Sequence, residues 1–318
     1  MKYWGHPRRE KVTPEPGRLE RMLKSLGESA RLRRILKEHV PRRVVQKVAD
    51  VLGRGREGSI DLGDGVKLSY ELNDVYWTQY AGNPRGYEPE LWQVMDKFAG
   101  PDTLFIDGGA NIGFWSSVAA SRIKNKDRVV AIEPSDEVLP RLIANQKLNQ
   151  ESFTVLPRAI WSNSDETLTF TVSTSHQASG LVDDGEFPAL RKIQVLTVSV
   201  DDIVRDAAGK NIRNPDVIVK LDVEGTELQG LEGMRDTLKT HNTLLVYEDH
   251  SKDKGSETTA RLLTEGLNLY FIDGDTHTTR LIHDAKELVA IKTVSHKGYN
   301  FVACKPGSTF DAAFQGKF

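Results

Sequence analysis

The stretch from Thr103 to Gly113, T-L-F-I-D-G-G-A-N-I-G, decides the fold of this chain. Leu104 to Ile106 form a short apolar run without helical spacing, which predicts a buried β-strand. The run ends in Asp107 and a glycine-rich turn, after which apolar residues recur at helical spacing. A strand, a tight glycine turn and a helix in this order are typical of a loop that binds a nucleoside or a phosphate.

The spacing of the glycines separates these two ligand classes. A dinucleotide-binding loop has the pattern G-x-G-x-x-G, whereas here Asn111 stands between Gly109 and Gly113 where a glycine is needed. Asp107 is a poor neighbour for a diphosphate and a good one for the ammonium and sulfonium groups of S-adenosylmethionine. For this motif taken alone, a merely structural tight connection remains an alternative.

The strands predicted further along the chain also end in acids, which argues against a merely structural role for the glycine turn. Glu133 follows Asp107 by 26 residues, a strand-helix-strand distance, and is placed to accept the ribose hydroxyls of a nucleoside. Ligands of an open parallel sheet bind at the carboxyl ends of its strands, so we expect all these side chains at one crevice. The other polar residues at predicted strand ends are Asp222, Glu224, Glu248, Asp249 and His250.

Composition indicates a soluble α/β protein of one large domain with an appendage, or of two modest domains. The 318 residues are 38% hydrophobic and 28% charged, with neither a membrane-spanning run nor an apolar leader at the start. Cys304 is the single cysteine, so we expect no internal disulfide and a cytoplasmic location.

Charge is distributed unevenly along the chain. Residues 1–58 carry 16 Lys and Arg against 7 Asp and Glu, whereas the remainder carries 27 against 38. An amphipathic helical pattern runs from Arg18 to Val40. We predict a basic helical extension over 1–58 that packs on the body or on a second subunit; a membrane surface or an acidic partner is the alternative.

Several further elements follow from local patterns. Gly63-Asp64-Gly65 predicts a hairpin, and Glu88 precedes a predicted helix that leads into the Thr103 strand. The polar segment 173–180 is a candidate lid over the acceptor, in which His176 and Ser179 are candidate substrate contacts. We expect further strands at 267–272, 287–294 and 300–304, and a loosely held tail over 306–318.

Four blocks in order resemble the FkbM-type S-adenosylmethionine-dependent methyltransferases. They are F-I-D-G-G-A-N-I-G at 105–113, I-E-P at 132–134, A-I-W-S at 159–162, and V-K-L-D-V-E-G-T-E at 219–227. Glu248-Asp249-His250 also fits the family pattern, whereas Gly108 departs from the hydrophobic residue that is commoner there. The resemblance implies a doubly wound, mostly parallel seven-stranded sheet over 59–305 and methyl transfer to a hydroxyl, often on a sugar of a glycan, glycolipid or natural product.

The resemblance and the strand-end pattern together give a set of candidate site residues. His250 is the candidate general base, because its reference pKa lies near neutrality, and Asp222 and Glu248 are candidates to orient it. Glu224 is a further candidate substrate contact. A divalent cation held by Asp222, Glu248 and Asp249 is an alternative that we do not expect. The candidate cofactor residues are Glu88, Asp107, Gly108, Gly109, Asn111, Gly113, Glu133, Pro134, Ala159, Ile160 and Asp222.

Three other functions remain as alternatives. A nicotinamide-dependent oxidoreductase would use the same type of sheet, but Asn111 and the missing diphosphate loop argue against it. A nucleic-acid ribose methyltransferase would explain the basic extension and the cluster of Lys220, Asp222 and Glu224, but the body is acidic, so we do not expect nucleic acid as a partner. A non-catalytic scaffolding module is the least favoured. A glycan or small-molecule acceptor is the partner we expect, and a homo-oligomer is left open as an alternative to a monomer.

Overall fold

The structure is a computed structural model that describes residue 53 and residues 55–173, 180–181, 189–250, 255–293 and 299–315. His176, Ser179 and nearly all of the basic extension over 1–58 lie outside these residues, so the predictions for them stay predictions. Among the described residues, no helix has the length and apolar character that crossing a bilayer requires.

The described elements alternate between strands and helices over most of the chain. The strands are β1 (Glu57–Gly63), β2 (Val66–Glu71), β3 (Thr103–Gly108), β4 (Val129–Ile132), β5 (Thr154–Leu156), β6 (Ala159–Ile160), β7 (Thr167–Ser173), β8 (Ala189–Val198), β9 (Asp216–Leu221), β10 (Thr243–Glu248), β11 (Asn268–Ile272), β12 (Thr279–Ile282) and β13 (Asn300–Cys304). The α-helices are α1 (Val75–Thr78), α2 (Pro89–Phe98), α3 (Phe114–Ile123), α4 (Leu139–Leu148), α5 (Val200–Gly209), α6 (Glu227–Glu232), α7 (Arg235–Thr240), α8 (Glu257–Thr264), α9 (Leu288–Ile291) and α10 (Thr309–Phe314).

The chain divides into two compact units, Met1–Ile60 with Tyr70–Pro84 and Asp61–Ser69 with Arg85–Phe318. In the first unit, the Asp74 carboxylate accepts hydrogen bonds from the N–H groups of Tyr76 and Trp77 and so caps α1. The predicted hairpin is confirmed, since β1 and β2 form a two-stranded sheet around Gly63-Asp64-Gly65. The domain boundaries at 58 and 305 stay predictions.

The second unit is built on an eight-stranded sheet in the order β12-β11-β13-β10-β9-β3-β4-β5. Strands β10, β9, β3, β4 and β5 pair in parallel, whereas β13 is antiparallel to both β10 and β11. The predicted α/β fold with a mostly parallel doubly wound sheet is therefore confirmed. The sheet has eight strands rather than seven because β12 pairs with β11 at its edge.

Because side chains alternate along a strand, neighbouring residues of β3 and of β9 lie on opposite faces of this sheet. Ile106, Val219 and Tyr247 enter an apolar core that also contains residues of α5 to α8. Asp107 and Lys220, one position further along their strands, point to the other face, where α3 lies close enough for Ser116 Oγ to donate to Asp107. Asp107 and Lys220 therefore lie on the face that carries α3.

Two predictions for the last third of the chain were wrong. The predicted strand at 287–294 is the short helix α9, because Asp284 and Glu287 form a capping box that starts a helical turn. Within the predicted loose tail, Thr309–Phe314 form α10, in which Ser308 caps the N-terminus. Phe310 and Phe314, four residues apart, are both buried, and this packing orders the segment.

Candidate active site

The loop after β3 is held in a tight turn by neighbouring backbone. The N–H groups of Gly109 and Ala110 donate to the carbonyl oxygen of Ile132, at the end of β4, over 3.1 and 2.9 Å. Gly109 has φ +76°, and a Cβ atom there would lie 1.8 Å from the carbonyl oxygen of Asp222. The predicted glycine turn therefore brings the ends of β3, β4 and β9 together, and its close contact with β9 requires glycine.

Gly108, Ala159 and Ile160 belong to the packing beneath this turn. A Cβ atom on Gly108 would lie 2.4 Å from Ile160 Cδ1 and 2.9 Å from the backbone carbonyl oxygen of Lys220, so a larger residue would have to displace backbone here. The Ala159 and Ile160 side chains are buried, and β6 pairs with β8. The structure thus uses these two side chains as core, which leaves their backbone as the part that could contact a ligand.

Asp107 is a buried carboxylate with one oxygen unsatisfied. Its Oδ2 atom accepts a hydrogen bond from Ser116 Oγ over 2.6 Å. Its Oδ1 atom is buried and has no hydrogen-bond partner among the described residues. Burial raises the pKa of this carboxyl above its usual value, although Lys220 and Ser116 act in the opposite direction. An unsatisfied buried carboxylate oxygen is costly, and a binding site is one explanation for retaining it.

Lys220 lies opposite Asp107 in the register of β3 and β9. The residue is only 2% exposed, and its Nζ atom lies 2.7 Å from Asp222 Oδ2. Burial lowers the pKa of Lys220, but the charges of Asp222, Glu88 and Asp107 outweigh it, so the pKa is raised and the ammonium is retained. Lys220 was not among the site residues predicted from the strand-end pattern. The available signal was a lysine inside the apolar strand V-I-V-K-L.

Glu88 contributes a further carboxylate to the group of acids around Lys220. It precedes α2 in a left-handed conformation with φ 40° and accepts a hydrogen bond from Trp115 Nε1. Burial raises its pKa from 4.5 to about 7, against the lowering effect of Lys220. A non-glycine residue in this conformation costs free energy, and such strain is concentrated at functional sites.

Asp222, Glu224 and Glu248 form the acidic mouth of the site. One carboxylate oxygen from each lies within 4.8 Å of the others. Burial raises the pKa of Glu248 well above its usual value, and the charges of Asp222 and Glu224 add to the rise. Burial alone would raise the pKa of Asp222, but Lys220 lowers it, with smaller contributions from Glu248 and His250. The pKa shifts therefore favour the ionised form of Asp222 and the protonated form of Glu248.

Glu133 already organises the loop from the next strand end. Its two oxygens accept hydrogen bonds from the N–H groups of Asn111 and Ser135, each over 2.9 Å. Asn111 has φ 50°, and its side chain accepts from the N–H of Ile112 over 2.9 Å. Glu133 therefore links the loop after β3 to the turn after β4.

Asp249 lies apart from the acidic mouth. Its side chain is fully buried and bonded to Lys292 Nζ, to Ser256 Oγ over 3.1 Å and to Thr259 Oγ1 over 2.5 Å. Lys292 Nζ also donates to the carbonyl oxygen of His250 over 3.0 Å. The group of three acids suited to a cation therefore contains Glu224 rather than Asp249, and the Asp249–Lys292 pair instead anchors the end of β10.

Replacing Asp249 by asparagine should lower the free energy of unfolding by about 3 kcal/mol, because it leaves the Lys292 ammonium buried without its counter-charge. Chemical denaturation at pH 7 measures the loss. Asp136→Asn is the matched control, since it breaks the exposed pair with Arg191 and should barely move the midpoint. Equal midpoints for the two variants would contradict the anchoring role.

The comparisons with known proteins agree with this geometry. Residues 107–277 match the methyltransferase FkbM domain. The hexuronic acid methyltransferase AglP of Haloferax volcanii is 28% identical over 191 residues, which are 55% of this chain and 72% of that protein.

Solved structures with similar folds are more distant. The methyltransferase FkbM from Methylobacillus flagellatus KT is 16% identical with a TM-score of 0.40; the match covers 73% of this chain and 55% of that one, about half its length. An S-adenosylmethionine-dependent O-methyltransferase from Thermotoga maritima is 14% identical with a TM-score of 0.36, over 78% of this chain and 77% of that chain.

The domain match, on a doubly wound sheet with acids at its strand ends, defines the protein as an S-adenosylmethionine-dependent methyltransferase. Because the match spans more than half of the chain, the chain belongs to the FkbM methyltransferase family.

Proposed function

We propose that this enzyme transfers the methyl group of S-adenosylmethionine to a hydroxyl group of a sugar. The observation that carries the proposal is the group of carboxylates around Lys220 at the ends of β3, β9 and β10. A pocket of carboxylates suits a ligand that carries an ammonium and a sulfonium, and the unsatisfied Oδ1 atom of Asp107 fits such a ligand. When bound, the cofactor supplies an electrophilic methyl group.

The cofactor site would be built from the loop and the strand ends around it. Glu88, Asp107 and Asp222 would face the cationic part of the ligand, and Glu133 with Pro134 its ribose. The turn at Gly109, Asn111 and Gly113, which all have positive φ, would present backbone groups to the ligand. The backbone of Ala159 and Ile160 is proposed to border the adenine.

The acceptor side is formed by the acidic mouth and His250. A hydroxyl is a weak nucleophile that loses its proton as it attacks, and His250 is the proposed base. Asp222, already fixed by Lys220, and Glu248 would orient the acceptor near attack distance. Glu224 is exposed at this mouth and is proposed to bind sugar hydroxyls.

The charge of the acidic mouth supports a hydroxyl rather than a carboxylate as the acceptor group. AglP is named for hexuronic acid, a sugar that offers both groups. The carboxylates of Asp222 and Glu224 would repel an anionic acceptor carboxylate, and the oxygens of all three acids of the mouth would accept hydrogen bonds from a neutral hydroxyl. A divalent cation at these acids is not expected, because Lys220 already neutralises Asp222.

Incubation with methyl-labelled S-adenosylmethionine and paired acceptors tests this function. Neutral hexosides should accept label, and so should uronic acids whose carboxyl group is already esterified. Label released from uronic acid by mild alkali would instead indicate a methyl ester and contradict the hydroxyl acceptor. Absence of cofactor binding by calorimetry, combined with NADH binding, would overturn the function as a whole. A homo-oligomer and a partner for the basic extension stay predictions.

Cofactor affinity should rise as the pH rises through about 7. Glu88 has a pKa of about 7, so below this pH its carboxyl is neutral and cannot pair with the ammonium of the cofactor, whereas above it the carboxylate is ionised. The gain should be about tenfold, the size of one hydrogen bond to a charged group. Calorimetric titrations from pH 6 to 8 measure it, and Glu88→Gln should lack this component. If the cofactor affinity of Glu88→Gln rises with pH as that of the wild type does, a group other than Glu88 is responsible for the pH dependence.

A further inference from the structure

Within the described part of the chain, Lys220 and Lys292 have nearly buried side chains that are each paired with an aspartate, but only Lys220 stands among several carboxylates. Lys292 is tied to Asp249, Ser256 and the backbone of His250. Lys220 is tied to Asp222 at 2.7 Å, and its charge also acts on Glu88 and Asp107. Lys220 therefore has electrostatic partners on three elements, α2, β3 and the end of β9.

Without the Lys220 ammonium, the buried carboxylates around it would be difficult to keep ionised. Burial raises the pKa of Glu88, Asp107 and Asp222, and in each case Lys220 is the largest opposing influence. The other charged groups near them favour protonation or lie further out: Glu90 beside Glu88, Glu227 beside Asp222, and Glu224 beside Glu248. His250 adds a minor lowering effect on Asp222. Trp115 and Ser116, from α3, contribute hydrogen bonds without charge.

We propose that Lys220 is a positioning residue of the cofactor site, whose buried ammonium keeps Asp222 and Asp107 as carboxylates and holds Asp222 at the strand tip to receive a cationic ligand. The proposal rests on the proposed function, since it assumes that this pocket receives S-adenosylmethionine. The Lys220 Nζ atom is bound to Asp222 Oδ2 over 2.7 Å, so the ammonium acts on the ligand through the carboxylates.

The test is the pH dependence of S-adenosylmethionine affinity, measured by calorimetry from pH 6 to 9 without acceptor. In Lys220→Met the carboxylates lose their cation and stay protonated to higher pH. The rise in affinity should therefore move upward by at least about one pH unit, with roughly a tenfold loss at pH 7 that shrinks by pH 9. Lys220→Arg keeps the charge and should keep the wild-type midpoint. Lys220→Gln, which retains a hydrogen-bond donor without charge, should behave like Lys220→Met and serves if the methionine variant does not fold.

Lys292→Met is the matched control, because it removes an equally buried ammonium from a carboxylate outside the acidic mouth. It should lower the thermal midpoint without moving the pH profile of affinity. An equal loss of affinity at every pH in Lys220→Met and Lys220→Gln, or the same shift in Lys292→Met, would overturn the inference while leaving the function intact. If the wild type itself binds no S-adenosylmethionine, the proposed function fails and the inference fails with it.

Discussion

Asp222→Asn should lower kcat/KM for methyl transfer by about 10²- to 10³-fold, the range typical of losing one fixed electrostatic group in an active site. Asparagine has nearly the same shape, so the change removes a charge with little change in packing. Asp222 is the ionised member of the acidic mouth, lies 2.7 Å from Lys220 Nζ, and its carbonyl oxygen packs against Gly109. The substitution therefore weakens both the proposed cofactor site and the orientation of the acceptor.

The control for this variant lies at the other end of the same strand. Asp216 begins β9, and its carboxylate accepts a hydrogen bond from Asn242 over 2.8 Å, far from the strand tip. Asp216→Asn should keep wild-type kcat/KM. Thermal unfolding should show that Asp222→Asn remains folded, because Asp107 and Glu88 still balance the Lys220 ammonium. Wild-type turnover in a folded Asp222→Asn enzyme would place the chemistry outside this crevice.

The strand ends could be predicted from the sequence because two simple rules apply to them. An apolar run followed by an acid marks a parallel strand and its carboxyl end, and parallel strands present these ends at one edge of the sheet. Asp107, Asp222 and Glu248 accordingly lie at the tips of β3, β9 and β10. The same rule cannot state which acid is ionised, since this depends on Lys220, whose neighbours are set by the register of β3 with β9.

The sequence pattern could not predict which partner a side chain at the end of a strand contacts. Asp249 and Glu248 are adjacent in the sequence, yet Asp249 pairs with Lys292 while Glu248 joins Asp222 and Glu224. Alternation predicts that neighbours point to opposite faces, but the partner of Asp249 comes from 43 residues further along the chain. The helix α10 escaped prediction for a related reason, because Phe310 is ordered by its contact with the distant Phe98.

Gly109→Ala should reduce S-adenosylmethionine affinity by more than about 10²-fold. The Cβ atom would lie 1.8 Å from the carbonyl oxygen of Asp222, and the contact is with backbone, which cannot rotate away as a side chain can. To relieve it, the tips of β3 and β9 must separate, and displacements of about 1 Å at a site can cost 10²-fold. Calorimetry with S-adenosylmethionine measures the loss.

The loss of affinity in Gly109→Ala could come from the left-handed backbone conformation as well as from this overlap. A second glycine, Gly266, allows the two causes to be distinguished. Gly266 has φ +81°, close to the +76° of Gly109, but no heavy atom lies within 4 Å of the Cβ position. Gly266→Ala should therefore lose only the roughly 1–2 kcal/mol of stability that a left-handed alanine costs and should bind cofactor as the wild type does. If the two alanine variants bind equally well, close contact between the glycine turn and the tip of β9 is not what shapes the pocket. If only Gly109→Ala fails to bind while both remain folded, the distance between these two strand tips sets the geometry of the cofactor site.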